Sequence, residues 1–267
     1  YSTMSDTAAL TVTAVNDAPA DLSLSASTVA ENAANGTVVG TISGTDPDSG
    51  DTKAYSLTDT AGGRFAINSS TGVLTVANGA LLNYESATSH NVTARVTDSG
   101  GLTYDEIFTI NLTNVNEAPT GTDATITVTE DTARTLTTAD FGFSDVDAGE
   151  SLSAVRIDTV PGAGTLTLSG VSVTAGQVVT AADISAGNLL FTPAANATGA
   201  GYATVTFSVR DSANAYDSAP NTLTINVTAV NDAPISTGGS ATGVEDTPLV
   251  LTWGQFNVSD VDSAMTA

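Results

Sequence analysis

Residues 109–119 read Thr-Ile-Asn-Leu-Thr-Asn-Val-Asn-Glu-Ala-Pro, and the phrase recurs as TVTAVNDAP at 11–19 and TINVTAVNDAP at 224–234. In each copy apolar side chains alternate with hydroxyl or amide side chains, and the run ends on proline. A period of two marks a β-strand with one buried face. The closing proline cannot donate to a strand ladder and stiffens the chain that follows. Pro19 and Pro119 lie 100 residues apart, and Pro119 and Pro234 lie 115 apart. Such a period is too long for a solenoid unit but suits small β domains in tandem.

Three further motifs recur in a constant order. VAEN at 29–32, VTEDT at 128–132 and VEDTP at 244–248 open the repeats. TDPDSGD at 45–51, SDVDAGE at 144–150 and SDVDS at 259–263 follow. VTD ending at Asp98 and VRD ending at Asp211 come late. The expected layout is therefore residues 1–17 as the last strand of a preceding domain, 18–117 as one domain, 118–232 as a second, and 233–267 as the incomplete start of a third. Thr and Val are abundant, alternation is clear over 92–96 and 204–209, and Gly, Asp, Asn and Ser cluster between the runs as turns. Residues 79–82 and 180–185 read as helical turns. Domains of this size with about seven short strands predict an all-β fold of tandem immunoglobulin-like sandwiches in an elongated rod. The Cys…Trp…Cys pattern of antibody domains is missing.

Composition narrows the chemistry. Six Lys and Arg stand against 29 Asp and Glu, a net charge of −23. A nucleic-acid binder needs a basic footprint, so that class is excluded, and docking on anionic membranes is disfavoured. Hydrophobic residues make up 41%, enough for packed cores, and no run of 18 apolar residues predicts a membrane span. With no Cys and one His (His90), thiolate chemistry, Cys-ligated zinc and Ser-His-Asp catalysis fall away. Carboxylate and amide oxygens remain, which are ligands for hard cations such as calcium.

Residues 18–119 resemble a cadherin repeat. Thr45-Asp46-Pro47-Asp48-Ser49-Gly50-Asp51 is similar to the family's DxD turn, Phe65-Ala66-Ile67 with Ser70-Thr71-Gly72-Val73-Leu74 to its core strands, Leu82-Asn83-Tyr84-Glu85 to its LDRE segment, and Asn114-Val115-Asn116-Glu117-Ala118-Pro119 to its DxND linker. The later repeats resemble a bacterial cadherin-like subtype of large surface adhesins, whose arrays carry VNDAP linkers. The resemblance implies shared Ca2+ sites at each linker. The junction between the two full domains would use Glu31, Glu85, Asn116, Glu117, Asp145, Asp147 and Asp211. The one before residue 18 would use Asn16, Asp17, Asp46, Asp48 and Asp98, and the one after 232 would use Glu130, Asn231, Asp232, Asp260 and Asp262. This chain departs from the pattern at Asn83, and at Asn114, Ala14 and Ala229 where the linker's leading Asp would stand. Each departure removes a charged ligand. The second domain has no LDRE segment; FTPAANATG at 191–199 is assigned to that region.

These residues imply a non-enzymatic, calcium-stiffened structural or adhesive array, outside the cell, whose partners are neighbouring repeats. A lone DxD is equally a solvated turn, but recurrence beside an acidic and amide linker favours ions. Paired carboxylates also serve glycoside hydrolysis, yet identical sets at domain seams suit ions better. A carbohydrate- or ligand-binding module would need an exposed aromatic platform, and aromatics are 5% of residues. Direct homophilic adhesion is a further alternative. His90 is expected to be solvated at a strand edge and Trp253 to pack at a domain edge. The incomplete ends are read as an excerpt of a longer repetitive protein, with head-to-tail strand addition between copies as the alternative.

Overall fold

The computed structural model describes residues 9–263. Contacts divide the chain into two units, one ending at Val115 and the other beginning at Asn116, so the division falls inside the Asn-rich linker. Among the described residues no helix is long and apolar enough to cross a membrane. Of the strand expected over 1–17, residues 1–8 lie outside the described part, and 9–20 run as open chain.

The first unit holds eight strands: β1 (Asp21–Leu24), β2 (Thr28–Ala30), β3 (Val38–Thr45), β4 (Ala54–Asp59), β5 (Phe65–Ile67), β6 (Val73–Val76), β7 (Ser89–Thr97) and β8 (Thr103–Thr113). They form two four-stranded sheets, ordered β1-β3-β6-β5 and β2-β8-β7-β4. The pairing is antiparallel except for β2, which runs parallel to β8. The alternation read in the sequence is the reason. On β7, Val92, Ala94 and Val96 are fully buried, while the residues between them reach solvent. Phe65, Leu74 and Leu82 close the core against Val92 and Ile110, each such side chain contributing about 1.5–3 kcal/mol of burial. A smaller cluster of Leu22, Ile42, Ala94 and Val96 fills the other end. Residues 79–81 form the expected helical turn as a 3-10 segment.

The second unit holds β9 (Ala124–Thr129), β10 (Arg134–Thr135), β11 (Ala154–Thr159), β12 (Thr165–Leu168), β13 (Val171–Ser172), β14 (Gln177–Thr180), β15 (Leu189–Thr192), β16 (Gly199–Arg210) and β17 (Asn221–Thr228). The sheets are β10-β15-β12-β13 and β14-β11-β16-β17-β9, with β9 parallel to β17. Both sandwiches thus tie their opening strand to their last strand, which places the early Glu of each beside the outgoing linker. The core is larger here, and Phe141 meets Phe207 edge-on with ring centroids 5.0 Å apart. Helix α1 (Ala181–Ser185) is the second expected turn; the Thr180 hydroxyl caps it by accepting from the Asp183 amide.

Past the linker, β18 (Ile235–Ser236) pairs with β19 (Val258–Ser259), and Trp253–Phe256 form a 3-10 turn. That turn carries a capping box from Thr252 to Gln255, and the turn Thr138–Phe141 carries the same box from Thr137 to Asp140. The alignment of the third copy with the second, read from SDVDS, has this local structure in common. Trp253 is 47% exposed, its ring 6.5 Å from that of Phe256.

Candidate metal centre

The acidic motifs build one hydrogen-bonded cradle, repeated three times. In each DxD turn the first carboxylate folds back onto the second residue's amide: Asp48 N to Asp46 Oδ1 at 2.8 Å, Asp147 N to Asp145 Oδ1 at 3.0 Å, and Asp262 N to Asp260 Oδ1 at 2.9 Å. This is the side-chain turn that Asp favours. The second carboxylate then accepts from the linker acid's amide: Asp17 N to Asp48 Oδ2 at 2.8 Å, Glu117 N to Asp147 Oδ2 at 2.7 Å, and Asp232 N to Asp262 Oδ2. The linker and the DxD turn are locked together at every copy.

The late Asp and the linker Asn complete the cradle. Asn16 Nδ2 donates to Asp98 Oδ2 at 2.8 Å and Asn116 Nδ2 to Asp211 Oδ2 at 2.9 Å. The other oxygen of each late Asp accepts a backbone amide, Leu102 N or Ala215 N, at 2.7 Å. Asp98 is 6% exposed and Asp211 is fully buried. The loop carrying Asp211 is held from outside by Tyr216, whose ring faces the Arg156 and Arg210 guanidinium groups at 4.8 and 5.6 Å. Asn231 Nδ2 turns to the Asp232 carbonyl at 2.8 Å, as Asn116 Nδ2 does to Glu117.

At the opposite pole of each sandwich stands the early Glu. Glu31 is 2% exposed and Glu130 3%. Each accepts from the linker valine, Val115 N to Glu31 Oε1 at 2.9 Å and Val230 N to Glu130 Oε1 at 2.8 Å. The second oxygen of Glu31 accepts from Tyr84 N at 2.8 Å, and an oxygen of Glu85 comes within 4.8 Å of the Glu31 carboxylate. Asn83, the departure from LDRE, accepts from Ser86 N at 2.6 Å and so holds the turn. Asn32, Asp131 and Asp246 follow the early Glu in the three copies, and all adopt positive φ (52°, 56° and 61°), a region that Asn and Asp tolerate best after glycine.

Two sets of three carboxylates lie within single units with oxygens close enough to share an ion: Asp46, Asp51 and Asp98, and Glu130, Asp232 and Asp262. Asp51 was not among the expected ligands. The third acid of TDPDSGD was its signal, and its carboxylate sits below the usual range because Ser99 hydrogen-bonds to it. Asp232 is pushed the other way, first by burial and then by the charges of Asp262, Asp131, Glu130 and Asp260. Asp46 Oδ2, Asp145 Oδ2 and Asp232 Oδ2 are buried and receive no hydrogen bond. A buried oxygen without a donor is costly, and a hard cation would satisfy it. The donor set, carboxylate with amide and backbone oxygens, fits calcium.

His90 differs from expectation. It lies on β7 opposite Ile110, and its Nε2 is buried without a partner rather than solvated.

The family model described as the cadherin domain matches residues 25–129. Solved structures share the fold at low identity. "Protocadherin gammaB7 EC3-6 cis-dimer structure" matches with a TM-score of 0.54 and 21% identity over 85% of this chain and 54% of that one. "Protocadherin Gamma B2 extracellular cadherin domains 3-6" gives 0.52 and 20% over 83% and 53%. Human protocadherin-24 EC1-2 gives 0.53 and 18% over 79% and 98%. The chain spans about half the length of the two gamma protocadherin fragments. No characterised protein matches it by sequence.

Proposed function

We propose that this chain is a non-enzymatic, calcium-stiffened segment of tandem cadherin-like repeats in an extracellular surface protein or filament. The observation that carries the reading is the latch of linker to DxD turn, repeated three times and completed twice by a late Asp, while a buried carboxylate oxygen is left without a donor in each copy. Solvated turns have no reason to repeat that arrangement.

In this reading Glu31 and Glu85 at the outgoing pole of the first domain and Asn116, Glu117, Asp145, Asp147 and Asp211 beyond it serve one junction. Asn16, Asp17, Asp46, Asp48 and Asp98 serve the junction before it, and Glu130, Asn231, Asp232, Asp260 and Asp262 the one after it. In this reading six carboxylates would share the central junction. Each like-charged pair near 4 Å costs about 1 kcal/mol even in water. When bound, calcium supplies positive charge and a demand for about 6–8 oxygen ligands. The residues' part is to hold those oxygens from both sides of a short linker, so that filling the site restrains the hinge and favours the folded state. Weak multi-carboxylate sites fill at the millimolar calcium found outside cells, which supports an extracellular place. The VNDAP linkers support a bacterial surface adhesin, and the domain boundaries at 18, 118 and 233 follow the same repeats.

Small-angle scattering of this chain in millimolar calcium and in chelator tests the reading. A longer maximum dimension and a narrower ensemble are expected with calcium. Superimposable curves in the two conditions would sink it.

A further inference from the structure

The two full repeats differ at the outgoing pole. In the first, the 82–85 segment runs beside the early Glu: Asn32 N donates to Leu82 O at 3.0 Å, and Tyr84 N takes Glu31 Oε2. Both Glu31 oxygens are therefore claimed by backbone, and Glu85 adds its carboxylate nearby. The second repeat has no acidic residue between Asp183 and Asp211, so nothing there replaces Glu85. The loop after β15 instead reaches the residue that follows the early Glu: Asn196 N donates to Asp131 Oδ1 at 3.1 Å. Glu130 is 3% exposed, and among the described residues no hydrogen bond reaches its Oε2. The Glu130 carboxylate has an oxygen within 4.8 Å of oxygens of Asp232 and Asp262, and Asp232 Oδ2 is itself buried without a donor.

Asn196 also lines an open hollow of about 350 Å³ with Asp232, Ser259 and Asp260. The residue that grips Asp131 thus stands on the rim of the carboxylate cluster. We infer that Asp131 is a further cation-site residue of the second repeat, carrying beside Glu130 the charge that Glu85 carries beside Glu31 in the first. The first repeat has Asn32 at the corresponding position, where Glu85 makes a second acid unnecessary. The inference rests on the proposed calcium reading and assigns a residue which that reading's ligand set omits.

Calcium titration calorimetry on the full chain compares wild type with Asp131→Asn and with Asp59→Asn, a turn residue far along β4. Asn keeps an oxygen for the Asn196 amide and tolerates positive φ, so the fold should survive; equal melting temperatures in chelator check this. One class of sites is expected to weaken about tenfold or more in Asp131→Asn, as loss of one nearby carboxylate charge implies, while Asp59→Asn matches wild type. The calcium-induced rise in melting temperature of the second unit should shrink in parallel. Wild-type affinity at every site in Asp131→Asn would overturn the inference and leave the calcium reading standing. No calcium uptake by wild type would overturn both.

Discussion

His90 shows how a single side chain departs from its sequence environment. Between Ser89 and Asn91 it reads as solvated, yet its ring lies against the sandwich with Nε2 enclosed. Burial first, and then the Arg64 charge, hold its pKa below the ordinary 6.5. The unfolded chain therefore takes up the proton before the folded one. Stability is undisturbed above about 6.5 and falls as pH drops from there toward the lower folded value. Calcium-free urea unfolding between roughly pH 7.5 and pH 5.5 should show this loss in the first unit, and His90→Gln should remove it. Because the chain has one histidine, its ring resonance is unambiguous, and an NMR titration midpoint at or above 6.5 would contradict the account. The acidic residues of the cradles were more legible than His90. Asp and Asn make short-range turns whose geometry depends on neighbours in sequence, whereas the burial of a ring depends on what packs over it.

The β5–β6 hairpin carries the lesson at the level of elements. Ser70-Thr71-Gly72-Val73-Leu74 announced a tight turn between core strands, and the turn sits there with Gly72 at φ 68°. Its carbonyl accepts from Ile42 N at 2.8 Å, binding the hairpin to β3. A Cβ at Gly72 would lie 2.1 Å from the Ile42 oxygen, so strain and a backbone clash coincide. Gly72→Ala is expected to cost more than about 1 kcal/mol, read from the denaturation midpoint of the first unit. An unchanged midpoint would mean that β3 yields without penalty. Strand existence and type were legible here and on β7, β8, β16 and β17, because alternation records which face is buried. The parallel ties of β2 to β8 and β9 to β17 were not, since partner choice depends on residues about 80 to 100 positions away.

For the whole chain the governing quantity is charge. A net −23 on 267 residues favours solubility and opposes compaction by self-repulsion. Without calcium, added sodium chloride should therefore raise the melting temperature, most steeply below about 0.1 M, where the screening length exceeds ~10 Å. Calorimetry across a salt series checks this, and a flat or falling series would show that repulsion is not limiting. The sequence by itself determined the all-β class, the repeat period, the order of the acidic motifs and most of the side chains that the cradles bring together, because these rest on local alternation and on side chains that bond to near neighbours. Only the tertiary structure decided that each DxD turn is latched to its linker, that Asp51 joins Asp46 and Asp98, and that Glu31 spends both oxygens on backbone while Glu130 keeps one. Those outcomes depend on strands and loops far apart in the chain arriving side by side, which no local pattern encodes.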